Sequence, residues 1–253
     1  MLSQLIKNKN DQLAVYFTAG FPELNSTAAI LKALDAADVN LIELGLPFSD
    51  SLVDGPTIQM SNSQALENGM NLQLLLEQLA AAQPLDTPVI LMGSFNPIMQ
   101  FGVENFLKVA GQSGVSAVIL PDLPPEEYEK HYKDQFVSAG IGMCFLITSR
   151  SSEERIRYLD SLTTGFLYAV SSDAITGSQL EVNATQQEFF DRLSAMKLEN
   201  SYLIGFGIRD SETFKMACSN SNGAIIGSEF IRQIAEAEDL VASIEKFVAR
   251  IRS

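Results

Sequence analysis

What most constrains this chain is an alternation that runs its whole length. Eight short apolar runs recur: LAVYFTA (13–19), VNLIELGL (39–46), PVILMG (88–93), SAVILPD (116–122), GMCFLIT (142–148), GFLYAVS (165–171), YLIGFG (202–207) and GAIIGS (223–228). Most are continuously apolar, the pattern of strands covered on both faces. Between them lie segments of helical period. Leu72, Leu75, Leu76 and Leu79 share one face behind Asn71, a candidate N-cap. Ile156, Leu159 and Leu162 do the same behind the capping-box pattern Ser151-Ser152-Glu153-Glu154. Near the end, Leu240, Val241, Ile244, Phe247, Val248 and Ile251 fall in register. With no linker or low-complexity break, this alternation predicts one α/β domain over residues 1–253 with a parallel sheet. Eight repeats favour a single (β/α)8 TIM barrel with extra short helices over an open doubly wound sheet. A chain of 253 residues with 46% apolar content suffices for such a core.

The bulk chemistry excludes several functions. Seventeen basic residues face 31 acidic ones, a formal charge of −14 that repels phosphate backbones and anionic lipid. Nucleic acid and membrane are therefore not expected partners. The N-terminal stretch has too short an apolar run for a signal peptide, and no run approaches the ~18 apolar residues of a membrane span. Cys144 and Cys218 are lone cysteines without CxxC spacing, which suits a reducing cytoplasm. His131 is the one histidine, in the polar segment EEYEKHYKD. A zinc site built on clustered histidines is not expected, and there is no GxSxG elbow for a serine nucleophile.

In a barrel of this kind, active sites sit at the C-terminal ends of the strands. The second run ends in ELGLPFSDSLVDGP (43–56). Glu43 interrupts an apolar run, where an ionised carboxylate is costly without a partner. It reads either as a structural acid with hydrogen-bond partners or as a functional one on the catalytic rim. Asp50 and Asp54 follow in a loop fixed by Gly55-Pro56; alone, each is also an ordinary turn residue. The last two runs end in glycine. Gly205-Phe206-Gly207 and Gly227-Ser228 read as tight turns, the second leading into a helix N-terminus that suits an anion such as phosphate. Thr176-Gly177 lies in the long polar segment SSDAITGSQLEVNATQQ (171–187), which reads as a lid over the same anion. None of the lysines falls within or just after a run, which disfavours a Schiff-base aldolase. General acid–base chemistry by carboxylates remains.

These residues also carry a resemblance. ELGLPFSDSLVDGPTIQ is similar to ELG-x-PFSDP-x-ADGP-x-IQ, the signature of the tryptophan synthase alpha subunit family. FTAGFP (17–22), MGSFNPIMQFG (92–102), LPDLPPEE (120–127), Thr176-Gly177, GFGI (205–208) and GAIIGS (223–228) continue it in order across essentially the whole chain. The resemblance implies a (β/α)8 barrel that splits indole-3-glycerol phosphate into indole and glyceraldehyde 3-phosphate. It places Glu43 and Asp54 as the catalytic acid/base and the fixed anion facing the indole N–H. It places Tyr16, Thr18, Tyr168 and Phe206 in the substrate pocket, and Thr176, Gly177, Gly207, Gly227 and Ser228 around the phosphate. It implies no cofactor or metal in this chain. The expected partner is a tryptophan synthase beta subunit carrying pyridoxal phosphate, in an α2β2 heterotetramer.

The chain departs from that signature at Ser51, where proline is usual, and at Val53, where alanine is. Asp173-Ala174 replaces a small or basic residue followed by glycine, and Ser94-Phe95 stands where tyrosines are more usual. Three readings compete with a coupled lyase: a stand-alone lyase releasing indole, an inactive barrel kept as a partner for the beta subunit, and a different phosphate-binding barrel enzyme.

Overall fold

Each of the eight apolar runs forms a strand. In the computed structural model, which describes residues 2–7, 9–37, 39–51, 54–170, 184–205 and 207–253, they are β1 (Gln12–Thr18), β2 (Leu41–Gly45), β3 (Val89–Met92), β4 (Val115–Ile119), β5 (Gly142–Thr148), β6 (Leu167–Val170), β7 (Tyr202–Ile204) and β8 (Gly223–Ile226). They pair in parallel in chain order and close into a barrel, with β8 on β1. Several strands stop short of the apolar run where glycine or proline follows: Met92 precedes Gly93, Ile204 precedes Gly205 and Ile226 precedes Gly227. Burial on both faces explains the unbroken apolar sequence: every residue of β1, β2 and β8 is buried, Glu43 among them.

Helices between successive strands cover the outside of the barrel, as expected for the (β/α)8 class. Asn71 caps Leu72–Ala82 by accepting from the Leu74 N–H at 3.0 Å, and Leu72, Leu75, Leu76 and Leu79 are buried. Each such leucine contributes about 1.5–3 kcal/mol. The expected capping box at 151–154 does not form. Ser152 is the cap of Glu153–Leu162 and accepts from the Arg155 N–H at 3.1 Å. Its third helical residue is thus Arg155, while Ser151 turns back to accept from the Thr148 N–H. Glu153 and Glu154 remain in the first turn, where they complement the helix dipole. A reciprocal box does form at Asp210 and Thr213. In the terminal helix, Leu240–Arg252, Ile244, Phe247, Val248 and Ile251 are buried as the period predicts. Val241 is 47% exposed, because Leu240 is the first-turn residue that packs on the core.

Short helices at Leu2–Ile6, Phe95–Phe101 and Pro125–Glu127 supplement the barrel pattern, the last running into a π-helical turn, Tyr128–Tyr132. His131 lies in that turn with an exposed side chain, 3.5 Å from Glu127. Among the described residues no helix is long and apolar enough to cross a membrane.

Candidate active site

The barrel mouth is built from the ends of β1 and β2. Tyr16 and Glu43 are register partners on these strands, so their side chains leave the sheet on the same side. The Tyr16 hydroxyl bonds the Thr18 hydroxyl at 3.3 Å, and Thr18 bonds Ser61 Oγ at 2.7 Å. Ser61 donates to the Ile58 carbonyl at 2.9 Å. With its proton committed there, Ser61 accepts from Thr18, and Thr18 in turn accepts from Tyr16. The phenol proton therefore points along this chain, to Thr18. Glu43 is only 1% exposed, and neither carboxylate oxygen has a hydrogen-bond partner among the described residues. Burial first, and the negative charge of Asp54 second, push its pKa up to about 8. At neutral pH this side chain carries a proton.

Asp54 lies in a different environment. It is half-buried at the start of Pro56–Glu67, where Gly55 is the N-cap and Pro56 the first helical residue. Asn62, two turns along that helix, donates from Nδ2 to Asp54 Oδ2 at 3.3 Å and to Ser51 Oγ at 3.1 Å. Burial raises the Asp54 pKa, while hydrogen bonds from Ser51 and Asn62 oppose the rise. Gln59 ties the loop backbone down, donating to the Asp54 carbonyl at 2.9 Å and the Ser51 carbonyl at 3.3 Å.

A cavity of about 260 Å³ opens here, walled by Tyr16, Leu46, Asp54, Asn62, Met92 and Ser94, with Asp50 and Asp122 at its rim. Its opening is shaped in part by Asp122, which accepts from the Ser94 hydroxyl and from the Phe95 N–H at 2.8 Å. Two glycines make room for the tyrosines beneath. A Cβ on Gly45 would collide with the Tyr16 hydroxyl, and one on Gly205 with the Tyr168 ring. Tyr168 lies buried in β6, its pKa raised by burial and then by the charges of Glu43, Tyr16 and Asp54, so it belongs to the same cluster.

The expected site residues are thus distributed unevenly. Tyr16 and Asp54 line the cavity, and Glu43, Thr18 and Tyr168 are buried alongside it. Gly207, Gly227 and Ser228 lie past the ends of the paired strands β7 and β8, on the same rim but not in the cavity wall. Gly227 caps Ser228–Ala235 and abuts the Tyr16 ring, which ties that rim to the cavity. Asp50 accepts from Ser49 Oγ at 3.0 Å. Thr176, Gly177, Phe206, Val53, Asp173 and Ala174 lie outside the described residues. Sequence reasoning missed Asn62, Ser61 and Asp122 as site residues. The one available signal for Asn62 was its spacing of eight residues from Asp54, which repeats a helical face. Among the described residues no group of three or more His, Cys, Asp or Glu side chains is placed to hold a metal ion.

Comparison with known proteins agrees with this architecture. The family model described as tryptophan synthase alpha chain matches residues 2–252. The tryptophan synthase alpha chain of Flavobacterium psychrophilum is 48% identical over 251 residues, covering 99% of this chain and 98% of that one. Its counterpart from Flavobacterium johnsoniae is 45% identical, covering 99% of each. Among solved structures, the tryptophan synthase complex of Pyrococcus furiosus contains a chain with TM-score 0.87 and 33% identity, covering 96% of this chain and 98% of that one. The alpha subunit from Legionella pneumophila superposes with TM-score 0.88 at 29% identity, covering 99% and 95%. A full-length match of sequence and a closed eight-stranded barrel lead to one assignment: the chain belongs to the tryptophan synthase alpha chain family.

Proposed function

We propose that this chain cleaves indole-3-glycerol phosphate into indole and glyceraldehyde 3-phosphate, a carbon–carbon lyase reaction, with Glu43 as acid/base and Asp54 as fixed anion. The observation that carries the reading is the placement of Glu43: a buried carboxyl with no donor among the described residues, its pKa pushed up by burial, in a barrel of this family. A retro-aldol cleavage needs a proton on indole C3 and the loss of one from the adjacent glycerol hydroxyl. A protonated Glu43 supplies the first, and the carboxylate it leaves takes up the second. As the C3–glycerol bond breaks, the hydroxyl carbon becomes the aldehyde and the bond's electron pair returns to the ring as indole. Glu43 ends the cycle protonated, as it began, so no outside acid or base is required.

Protonation at C3 places positive charge on the ring nitrogen. Asp54, supplied with donors from Ser51 and Asn62, is suited to stay ionised and to face that nitrogen from the cavity wall. Tyr16, Thr18, Tyr168 and Phe206 complete the pocket in this reading, and Thr176, Gly177, Gly207, Gly227 and Ser228 hold the phosphate. Indole passes to a beta subunit carrying pyridoxal phosphate, in an α2β2 assembly formed in the cytoplasm by single-domain alpha chains. The complex solved for the Pyrococcus furiosus relative supports a partner of this kind. In the test, Glu43→Gln abolishes indole release while binding of glyceraldehyde 3-phosphate is nearly unchanged; full turnover by that variant refutes the assignment. Turnover with and without a beta subunit separates a coupled lyase, which is strongly stimulated, from a stand-alone one.

A further inference from the structure

Ser51 and Asp54, before the helix Pro56–Glu67, form a polar cluster with Asn62 of that helix. Asn62 is buried, and its Nδ2 serves both Ser51 Oγ and Asp54 Oδ2, at 3.1 and 3.3 Å. Its Oδ1 is buried with no partner among the described residues. Rotating the amide would pair nothing better, since it would set an acceptor against the carboxylate of Asp54. Asn62 thus leaves its carbonyl unsatisfied while both donor contacts are kept, an arrangement that is unfavourable unless those contacts matter. Ser51 Oγ accepts from the same amide nitrogen that donates to Asp54, so it holds the Asn62 amide in place against the carboxylate. The backbone closes the same ring, because the Asp54 N–H donates to the Ser51 carbonyl at 3.1 Å.

We propose that Ser51, acting through Asn62, is a positioning residue that holds the Asp54 carboxylate ionised and turned to the cavity. The inference rests on the reading of Asp54 as the anion that faces the indole nitrogen. It gives Ser51, which replaces the proline of the family signature, a role that proline cannot fill, since proline has neither a hydroxyl nor a backbone N–H. The Asn62 donor favours the charged form of Asp54, and Ser51 and Asn62 line the cavity beside it. The cluster acts through Asp54, so its removal affects the rate-determining charge and not the grip on the phosphate.

The experiment uses the full chain with a beta chain present, measuring indole release from indole-3-glycerol phosphate between pH 5 and 9. Ser51→Ala and Ser51→Pro are expected to lower kcat about tenfold, with little change in KM, and to move the acid limb of the kcat profile up by about one pH unit. Ser51→Thr, which keeps the hydroxyl, restores both. A Ser51→Ala variant with the parent kcat and acid limb overturns the proposal. So does a lowered kcat with the acid limb unmoved, since that is what a merely structural loop residue would give. Asp54→Asn is measured in parallel. If that variant is inactive while Ser51→Ala is normal, the positioning role alone fails; if it is fully active, the reading of Asp54 fails and the positioning role with it.

Discussion

Glu43 should make this protein less stable than it would be with an uncharged side chain there, and the loss should depend on pH in a specific way. The carboxyl has a folded-state pKa of about 8 against an ordinary value of 4.5, because it is buried, with no donor among the described residues, near the like charge of Asp54. A raised pKa means that the folded state holds the proton more tightly than the unfolded one. The stability it contributes is fully present below about pH 4.5 and is lost as pH rises through about 8. At about 1.4 kcal/mol per pH unit of mismatch, the loss between pH 5 and pH 8 is about 3 kcal/mol. Glu43→Gln removes the titration and keeps the shape. The introduced amide is also buried without partners, which costs about 1–3 kcal/mol, but that cost does not vary with pH. The diagnostic is therefore the change in the difference between variant and parent. Urea unfolding followed by far-UV circular dichroism suits a chain with no tryptophan. Relative to the parent, Glu43→Gln should gain about 3 kcal/mol on going from pH 5 to pH 8. A difference that stays flat within about 1 kcal/mol would refute the argument, since Glu43 would then be ionised in the folded protein or paired with a donor.

Three further outcomes follow from the same geometry. Asp54→Asn removes the like charge beside Glu43, so the alkaline limb of its residual indole-release profile should move below that of the parent. Gly205→Ala drives a methyl group into the Tyr168 ring and should cost about 1–3 kcal/mol in urea unfolding, together with a loss of activity. Asp160 is buried far from the cavity and accepts from the Glu199 and Asn200 N–H groups at 2.8 and 3.0 Å. Asp160→Ala should therefore cost about 2–4 kcal/mol in the same assay while KM stays at the parent value.

The barrel was legible because strands covered on both faces must be apolar throughout, and eight such runs separated by helical periods leave few alternatives. Glu43 was legible for the complementary reason: a charge in such a run is an exception that needs a cause. The residues around it were harder to read. Ser61 and Asn62 occur in the polar stretch QMSNSQ, which as sequence resembles a solvated helix face. Only the packing of Pro56–Glu67 against the barrel turns them inward, to Thr18 and Asp54. Gly205 reads as a turn residue, whereas its necessity, like that of Gly45, comes from an aromatic ring on a neighbouring strand. Glu153 and Glu154 looked like half of a capping box because the pattern does not record which serine starts the helix; Ser152 does, one residue late for the box. Such choices depend on tertiary contacts between residues far apart in the chain, which no local pattern contains.

The two carboxylates at the barrel mouth show how one scaffold assigns opposite tasks to the same functional group. Both are drawn from water, and burial is the largest influence on each, raising both pKa values. What separates them is the supply of donors. Asp54 sits at a helix start, within reach of Ser51 and Asn62, so part of the lost hydration is replaced by protein hydrogen bonds. Glu43 sits in a strand whose backbone groups are committed to the barrel, and the hydroxyl of its register partner Tyr16 directs its proton to Thr18 instead. The direction of that proton is fixed from outside the site, by the bond from Ser61 to the Ile58 carbonyl. Helix Pro56–Glu67 therefore bears on both acids: it supplies the Asn62 donor to one and, through Ser61 and Thr18, withholds one from the other. Ser61→Ala tests the second half of this argument. Without Ser61 as acceptor, Thr18 no longer has to direct its proton outward, and the Tyr16 phenol is free to turn to Glu43. A donated hydrogen bond would stabilise the carboxylate, so the alkaline limb of indole release should fall below that of the parent. A limb that stays in place would show that the phenol's direction is fixed by something other than this chain.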